Sequence, residues 1–221
     1  MHVALLTAAC GAYEALVPPV PQTVAEGVTV SWHAFTDETW PVRTRTLSPR
    51  MRAKLPKLFG WQLVPGADVY CWADGAFSYT HAADVAWWLE ALGGAEWVGY
   101  RHNERGSVAE EAAFLRDIVA RSRGMARKYG GEDLDGQLQA LAEAGHVDDR
   151  LYCGGLFAYR ATPRVRAMCH TWWHHVSRYH VNDQLSLPWA LAAHEVRVAV
   201  IPGDIYACPG AARVGRFVRR G

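Results

Sequence analysis

The stretch VYCWADG, Val69 to Gly75, decides how this chain folds and where its chemistry lies. Its first five residues are apolar without alternation, the mark of a strand covered on both faces. It then ends on a carboxylate, Asp74, followed at once by a glycine. A carboxylate at the end of a buried strand must find a hydrogen-bonding partner or face a crevice. In open α/β sheets, ligands collect in the crevice beyond the carboxyl ends of the strands. An aspartate beside a glycine also suits a turn or a helix cap, so the rest of the chain has to decide.

Upstream, HVALLTAA is a second continuous apolar run, bounded by Gly11, and VTVSWHAFTD is β-rich as far as Asp37. The segment MRAKLPKLFGWQLVPGAD holds a short helix with basic residues on one side. Downstream, HAADVAWWLEALGG has helical spacing and a Gly-Gly stop. EWVGYRH follows as a short strand. SVAEEAAFLRDIVARSRGMARKYG reads as one long helix, with Ser107 as N-cap, Glu110 as its capping-box partner and Gly130 as stop. LDGQLQALAEAG is another helix, and LYCGGLFAYR a strand interrupted by two glycines. PRVRAMCHTWWHHVSRY is a helix opened by proline, DQLSLPWALAAHE begins one more, and VRVAVIP is a late strand. Strands alternating with helices predict an α/β fold with a mostly parallel central sheet flanked by helices, in one domain spanning residues 1–221.

Composition narrows the function. Half of the 221 residues are hydrophobic and 20% are charged, so a sizeable core is expected. A formal net charge of +1 makes no global electrostatic case for nucleic acid or a membrane surface. The tail RVGRFVRRG is locally basic, suited to phosphates or to a solvated terminus. Ten tryptophans are many for this length, and some are expected to line a groove. The five cysteines form no C-x-x-C pair, which points to a reducing compartment, and no apolar run approaches a transmembrane helix. A cytoplasmic location is therefore expected. MHVALLTAACG lacks Lys or Arg before a short apolar core and reads as a strand rather than a signal segment. His170 and His174 are four apart, but HTWWH lacks the glutamate of a zinc protease. The absence of G-x-x-x-x-G-K-[ST] and G-x-G-x-x-G counts against an ATPase or a dinucleotide enzyme.

Polar residues recur at strand ends: Thr7 and Tyr13 after the first, Asp37 after the second, Asp74 after the third. Arg50, Arg52, Lys54 and Lys57 lie just upstream of Asp74, where they could neutralise a phosphorylated ligand or form a solvated basic helix face. The segments FTDE, MRAKLPKLF…VYCWADG, YRHNERGSVAEEA and NDQLSLPWAL resemble the glycosyltransferase-like family that includes plant mucilage and pollen turgor proteins. The similarity runs from about Thr7 to Leu191. Arg52 and Lys54 match the family's R-x-K pair, and Trp72, Asp74 and Gly75 its W-x-D-G strand end. His102, Arg105, Glu110 and Glu111 match H-x-x-R-x-x-x-x-E-E-A. Asp183, Gln184, Leu185 and Ser186 match the late D-Q-L-S, with Asn182 where the family has arginine.

The resemblance implies a GT-A nucleotide-binding fold and transfer of a sugar from a nucleoside-diphosphate sugar to the hydroxyl of an unspecified acceptor. It implies catalytic roles for Asp183 and Gln184, with Asp183 a general base if the reaction inverts, or an orienting group if it retains configuration, as the family suggests. It implies donor binding by Thr7, Asp37, Arg52, Lys54, Asp74 and Gly75, and a donor–acceptor cleft at His102, Arg105, Gly154 and Gly155. Asp74 is the expected ligand of Mn²⁺ or Mg²⁺ bridging the phosphates. Rival readings are a non-catalytic nucleotide-sugar-binding module, a transferase that glycosylates modified nucleic acid, and a hydrolase with paired acids.

Overall fold

Each apolar run pairs edge to edge with another, because a strand buried on both faces has no water to satisfy its backbone. The computed structural model describes residues 1–11 and 15–214, so Tyr13 and most of the basic tail lie outside the described residues. In chain order the elements are β1 (His2–Ala9), β2 (Thr29–Thr36), α1 (Pro49–Leu63), β3 (Val69–Ala73), β4 (Phe77–Ser78), α2 (Asp84–Leu92) and β5 (Trp97–Arg101). Then come α3 (Val108–Arg121), α4 (Arg123–Tyr129), α5 (Leu134–Glu143), β6 (Tyr152–Tyr159), α6 (Pro163–Arg178), α7 (Leu187–Ala193), β7 (Val198–Ile201) and β8 (Ala212–Arg213).

Among the described residues, six strands form the main sheet in the order β2-β1-β3-β6-β5-β7. β1 is parallel to β2 and β3, and β5 to β7, whereas β6 runs antiparallel between β3 and β5. The register sets Ala73 opposite Leu156 and Arg101 opposite Tyr152. The start of β6, with its two glycines, is thereby wedged between the carboxyl ends of β3 and β5. A short β4–β8 pair stands apart from this sheet.

Period-two alternation divides the strand side chains between two cores. Leu6, Tyr70, Trp72, Trp97, Phe157 and Tyr159 pack with Leu58, Val165, Trp172 and Leu187 of α1, α6 and α7. Leu5, Cys71, Val98 and Leu156 pack on the other face with Val85 and Trp88 of α2. Trp72, Trp88, Trp97 and Trp172 are at most 2% exposed. Each removes an aromatic surface whose transfer is worth roughly 4–6 kcal/mol at most. With Trp40, five of the ten tryptophans are buried, and the others are half-buried or exposed. Helix α1 lies close on β1: a Cβ on Gly60 would fall 2.1 Å from Leu6 Cδ1. That approach brings the lysines of α1 beneath the strand ends.

Local chemistry departs from the sequence reading in three places. The long helix breaks at Ser122, whose extended backbone ends α3 and whose hydroxyl accepts from Met125 N–H to cap α4. A serine offers the chain its own hydrogen bond in competition with the helix. Glu110 reaches the N–H of Gly106 rather than that of Ser107, while Ser107 Oγ caps Glu110 as expected. Finally, α1 has 15 residues, with Pro56 inside it and a kink at Phe59, where an interior proline removes a backbone donor. The five cysteines are free and buried.

Two buried histidines make the fold acid-sensitive. His175 Nδ1 meets Gln137 Nε2 at 2.8 Å, linking α6 to α5, and His180 stacks on Tyr129. Burial first, then His174 for His175 and Lys54 for His180, lowers both to about 4. Both are neutral in the fold, so the stability they confer is complete above the unfolded value of about 6.5 and is lost as pH falls toward 4. Urea midpoints measured from pH 7 down to pH 4 should decline across this window, each histidine costing about 3 kcal/mol by its end. A flat profile would mean that neither ring is held neutral.

Candidate functional site

The carboxyl ends of β3 and β5 and the start of β6 open on a cleft of about 290 Å³. Asp74, His102, Arg105, Gly154, Asp183 and Gln184 are among the residues lining it. Five of the six sit on three segments remote in sequence, brought together by the reversed strand β6, which carries Gly154 itself.

Asp74 is fixed from both sides of its backbone. Its N–H donates to Gly155 O at 2.8 Å, and its carbonyl accepts from Phe77 N–H at 2.8 Å, closing a turn through Gly75. Trp72, two residues earlier on an extended strand, projects from the same face. Its indole N–H donates to Asp74 Oδ1 at 2.7 Å. Lys57 Nζ lies 3.4 Å from the same oxygen. The Asp74 side chain remains 47% exposed, and its Oδ2 has no hydrogen-bond partner among the described residues. One carboxylate oxygen is therefore anchored and the other is offered to the cleft.

Asp183 begins a 3₁₀ turn, Asp183–Leu185, behind α6. Trp172 Nε1 donates to its carbonyl at 2.8 Å, and Asn182 Oδ1 accepts from Gln184 N–H. Its carboxylate, 5% exposed, receives Lys54 Nζ at 2.6 Å and Lys57 Nζ at 2.5 Å on one oxygen, Oδ2. Burial alone would raise this acid, but Lys54 and Lys57 together hold it well below the usual carboxylate range. Lys57, 2% exposed, would lose its proton to burial were it not for Asp183 and Asp74, which carry it above the ordinary lysine value. Gly154 makes room for this contact: a Cβ there would stand 2.7 Å from Asp183 Oδ1 and 3.0 Å from Lys57 Nζ. A carboxylate so stabilised is a poor proton acceptor near neutral pH.

A second network braces the turn from the opposite wall. Glu111, 2% exposed, pairs with Arg105 Nε through one oxygen and accepts from Asn182 Nδ2 at 2.7 Å through the other. Arg105 Nη2 lies 2.9 Å from His102 Nε2, and its guanidinium stacks 4.0 Å above the Phe114 ring. His102 Nδ1 accepts from the N–H groups of Glu104 and Arg105, while burial and Arg105 lower its pKa. Gln184 is half-buried at the wall and donates to Tyr152 O only at 3.4 Å.

The remaining donor-binding candidates lie elsewhere. Arg52 pairs with Asp37 at 2.6 Å and donates to Arg45 O and Leu47 O, and Asp37 also accepts from Gly11 N–H. These groups pair with one another at the ends of β1 and β2, outside the cleft lining, while Arg52 Nε has no partner among the described residues. Thr7 is buried with no partner for its hydroxyl among the described residues. Arg50 donates to Lys128 O, away from Asp74. Lys54 reaches the site only through Asp183. The groups that sequence reasoning left without roles are Trp72, which orients Asp74, Asn182, which joins Glu111 to the Asp183 turn, and Lys57 as the bridge between two acids. A signal for the lysines was present, since Lys54 and Lys57 are i,i+3 on a helix and share a face that Arg52 does not.

A divalent cation fits this donor set poorly. Asp74 Oδ1 is already taken by an indole N–H and an ammonium, and the nearest second carboxylate, Asp183, carries two ammonium groups on one oxygen. Among the described residues no group of three or more His, Cys, Asp or Glu side chains could hold a metal ion, the His170–His174 pair included. No known family model matches this chain, and no curated protein matches it. Among the described residues no helix is long and apolar enough to cross a membrane.

The Asp183 pairing should dominate local stability. Asp183→Asn strands Lys54 and Lys57, and a buried charge deprived of its partner costs about 3–5 kcal/mol. Adding Lys57→Met should recover part of that loss in a double-mutant cycle followed by urea unfolding. Strictly additive losses would show that the two side chains are not coupled.

Proposed function

We propose that this protein is a glycosyltransferase of the GT-A type, moving a sugar from a nucleoside-diphosphate sugar to an acceptor hydroxyl within the cleft at Asp74. One observation carries the reading. Three blocks of the family resemblance, separated by up to a hundred residues, converge on that cleft: Asp74, then His102 with Arg105 and Glu111, then Asp183 with Gln184. A mostly parallel sheet whose strand ends open on the cleft supports it further, since such ends are where α/β folds hold nucleotides.

In the proposed reaction the bond from the anomeric carbon to the diphosphate oxygen breaks, and its electron pair leaves with the diphosphate. The acceptor oxygen forms the new bond to that carbon, and its proton passes to the departing phosphate oxygen. Most of the barrier is charge on the leaving group, so fixed positive charge is the main contribution a protein can make. Lys57 is held charged beside the cleft wall, and the open Oδ2 of Asp74 accepts a hydrogen bond from a donor hydroxyl. Asp183 acts by fixing the lysines. Of its two expected roles, orientation suits a carboxylate that two ammonium groups keep ionised, which favours retention of configuration. Gln184, a residue of the cleft lining, is the polar side chain beside Asp183 that an acceptor would meet.

A module that binds the donor without turning it over is favoured by one feature, the mutual neutralisation of Lys54, Lys57, Asp74 and Asp183. Slow hydrolysis of donor in the absence of acceptor separates the two, because a pure binder leaves the donor intact. A thermal-shift screen of UDP-, GDP-, TDP- and CMP-sugars should raise the melting midpoint for at least one of them. Asp74→Asn should lose less stability than Asp183→Asn, because Asp183 still meets Lys57 and the Asp74 carboxylate is half in solvent, while donor turnover falls by about 10²-fold or more. A folded Asp74→Asn variant with wild-type turnover would make Asp74 a turn residue and remove the basis of the proposal.

A further inference from the structure

We infer that the Lys57 ammonium takes the place of a divalent cation at this site, so that the donor's diphosphate is bound without a metal. The inference rests on the glycosyltransferase reading for the identity of the ligand, and on this chain's own geometry for the rest. One ammonium, 2% exposed, lies 2.5 Å from Asp183 Oδ2 and 3.4 Å from Asp74 Oδ1. That is where a cation shared between two carboxylates would sit.

Burying an ammonium is costly, and a methionine of similar volume would fill the same space without that cost. Apolar packing around α1 therefore gives no reason for a charge at Lys57, whose charge answers only to the two acids it faces. Its Nζ also lies 5.7 Å from the centre of the Trp72 ring, whose indole N–H holds the Asp74 oxygen that Lys57 faces. The two groups together use the side of Asp74 that a metal would need in order to bridge to Asp183. With Lys54 the set comprises two ammonium groups and two carboxylates. A divalent cation placed among them would meet a buried like charge, with one oxygen of each acid already committed. An arriving diphosphate, by contrast, meets the field of an ammonium that Asp183 and Asp74 keep protonated and that stands behind these two lining residues rather than in the lining itself.

The test runs in metal-free and Mn²⁺-containing buffers. Wild-type protein should bind no Mn²⁺ at this site in a titration followed by electron paramagnetic resonance. The nucleoside diphosphate of the responding donor should raise the melting midpoint equally with EDTA and with Mn²⁺. Lys57→Met should weaken that nucleotide about 10–100-fold. It also removes the cation between the two carboxylates, leaving Lys54 on Asp183 and the Trp72 indole on Asp74, so this variant, unlike wild type, should gain Mn²⁺ binding and a Mn²⁺-dependent rise in melting midpoint.

A nucleotide shift that needs Mn²⁺ would overturn the inference while leaving the transferase reading intact. Failure of every donor in both buffers would sink the transferase reading instead. The titration then decides the inference alone: Mn²⁺ bound by wild type and lost in Asp74→Asn overturns it. Should Lys57→Met fail to fold, Lys57→Gln serves as the variant, and the wild-type arms stand without either.

Discussion

An ammonium group sealed from water can persist only where carboxylates meet it, and at Lys57 two of them do. Each of the three partners comes from a different element: Lys57 from α1, Asp74 from the end of β3, Asp183 from the turn after α6. The pairing thus ties one helical layer to the sheet edge and to the chain's last third. Its geometry imposes further choices. Residue 154 must lack a side chain, because a Cβ would intrude on both Asp183 and Lys57. Residue 60 must lack one too, or α1 would stand off from Leu6 and draw its lysines away.

A second tier keeps the acids in place without touching the cleft's centre. Trp72 and Asp74 are two apart on an extended chain, which makes them neighbours on one face, so the indole can hold a single carboxylate oxygen. Trp172 grips the Asp183 carbonyl from α6, and Asn182 links the same turn to Glu111 on α3. These polar contacts are made by large or buried side chains whose bodies belong to the cores. The abundance of tryptophan is explained in part by this double use: apolar mass on one side, one directed N–H on the other.

Much of the sheet was legible because continuous apolar runs such as HVALLTAA and VYCWA leave few alternatives to a doubly covered strand. The reversal of β6 was not, since an antiparallel strand buried on both faces has the same apolar run as a parallel one. The split at Ser122 was missed because the periodicity on either side is helical, and only the serine's competing hydrogen bond reveals the break. At the site, Asp74 and the Asp183 turn were legible as an acid ending a strand and as a family-like block. Arg52 was not assignable from its neighbours: it lies on the far side of α1 from Lys54 and Lys57, and its partner Asp37 is fifteen residues away. Charge placed by a helix face cannot be read from the count of basic residues in a segment.

The same pairing also constrains what chemistry the cleft can do. A general base must be able to hold a proton during the reaction, and an acid flanked by two ammonium groups resists taking one. Lys57, sealed on α1, is held there by the close approach of that helix to β1 at Gly60 and Leu6. Lys54 and Lys57 together thus favour the ionised state of Asp183 against its burial. Chemistry that leaves the acceptor's proton to the departing phosphate asks nothing of Asp183 beyond holding Lys57 in position. Chemistry that demanded a base would have to recruit another group, either the open Oδ2 of Asp74 or His102, whose pKa burial and Arg105 lower. Its Nδ1 already receives two backbone N–H groups, and its Nε2 faces the Arg105 guanidinium. A neutral imidazole has one acceptor nitrogen, and with Nδ1 already filling that part the open oxygen of Asp74 is left as the free acceptor of the two.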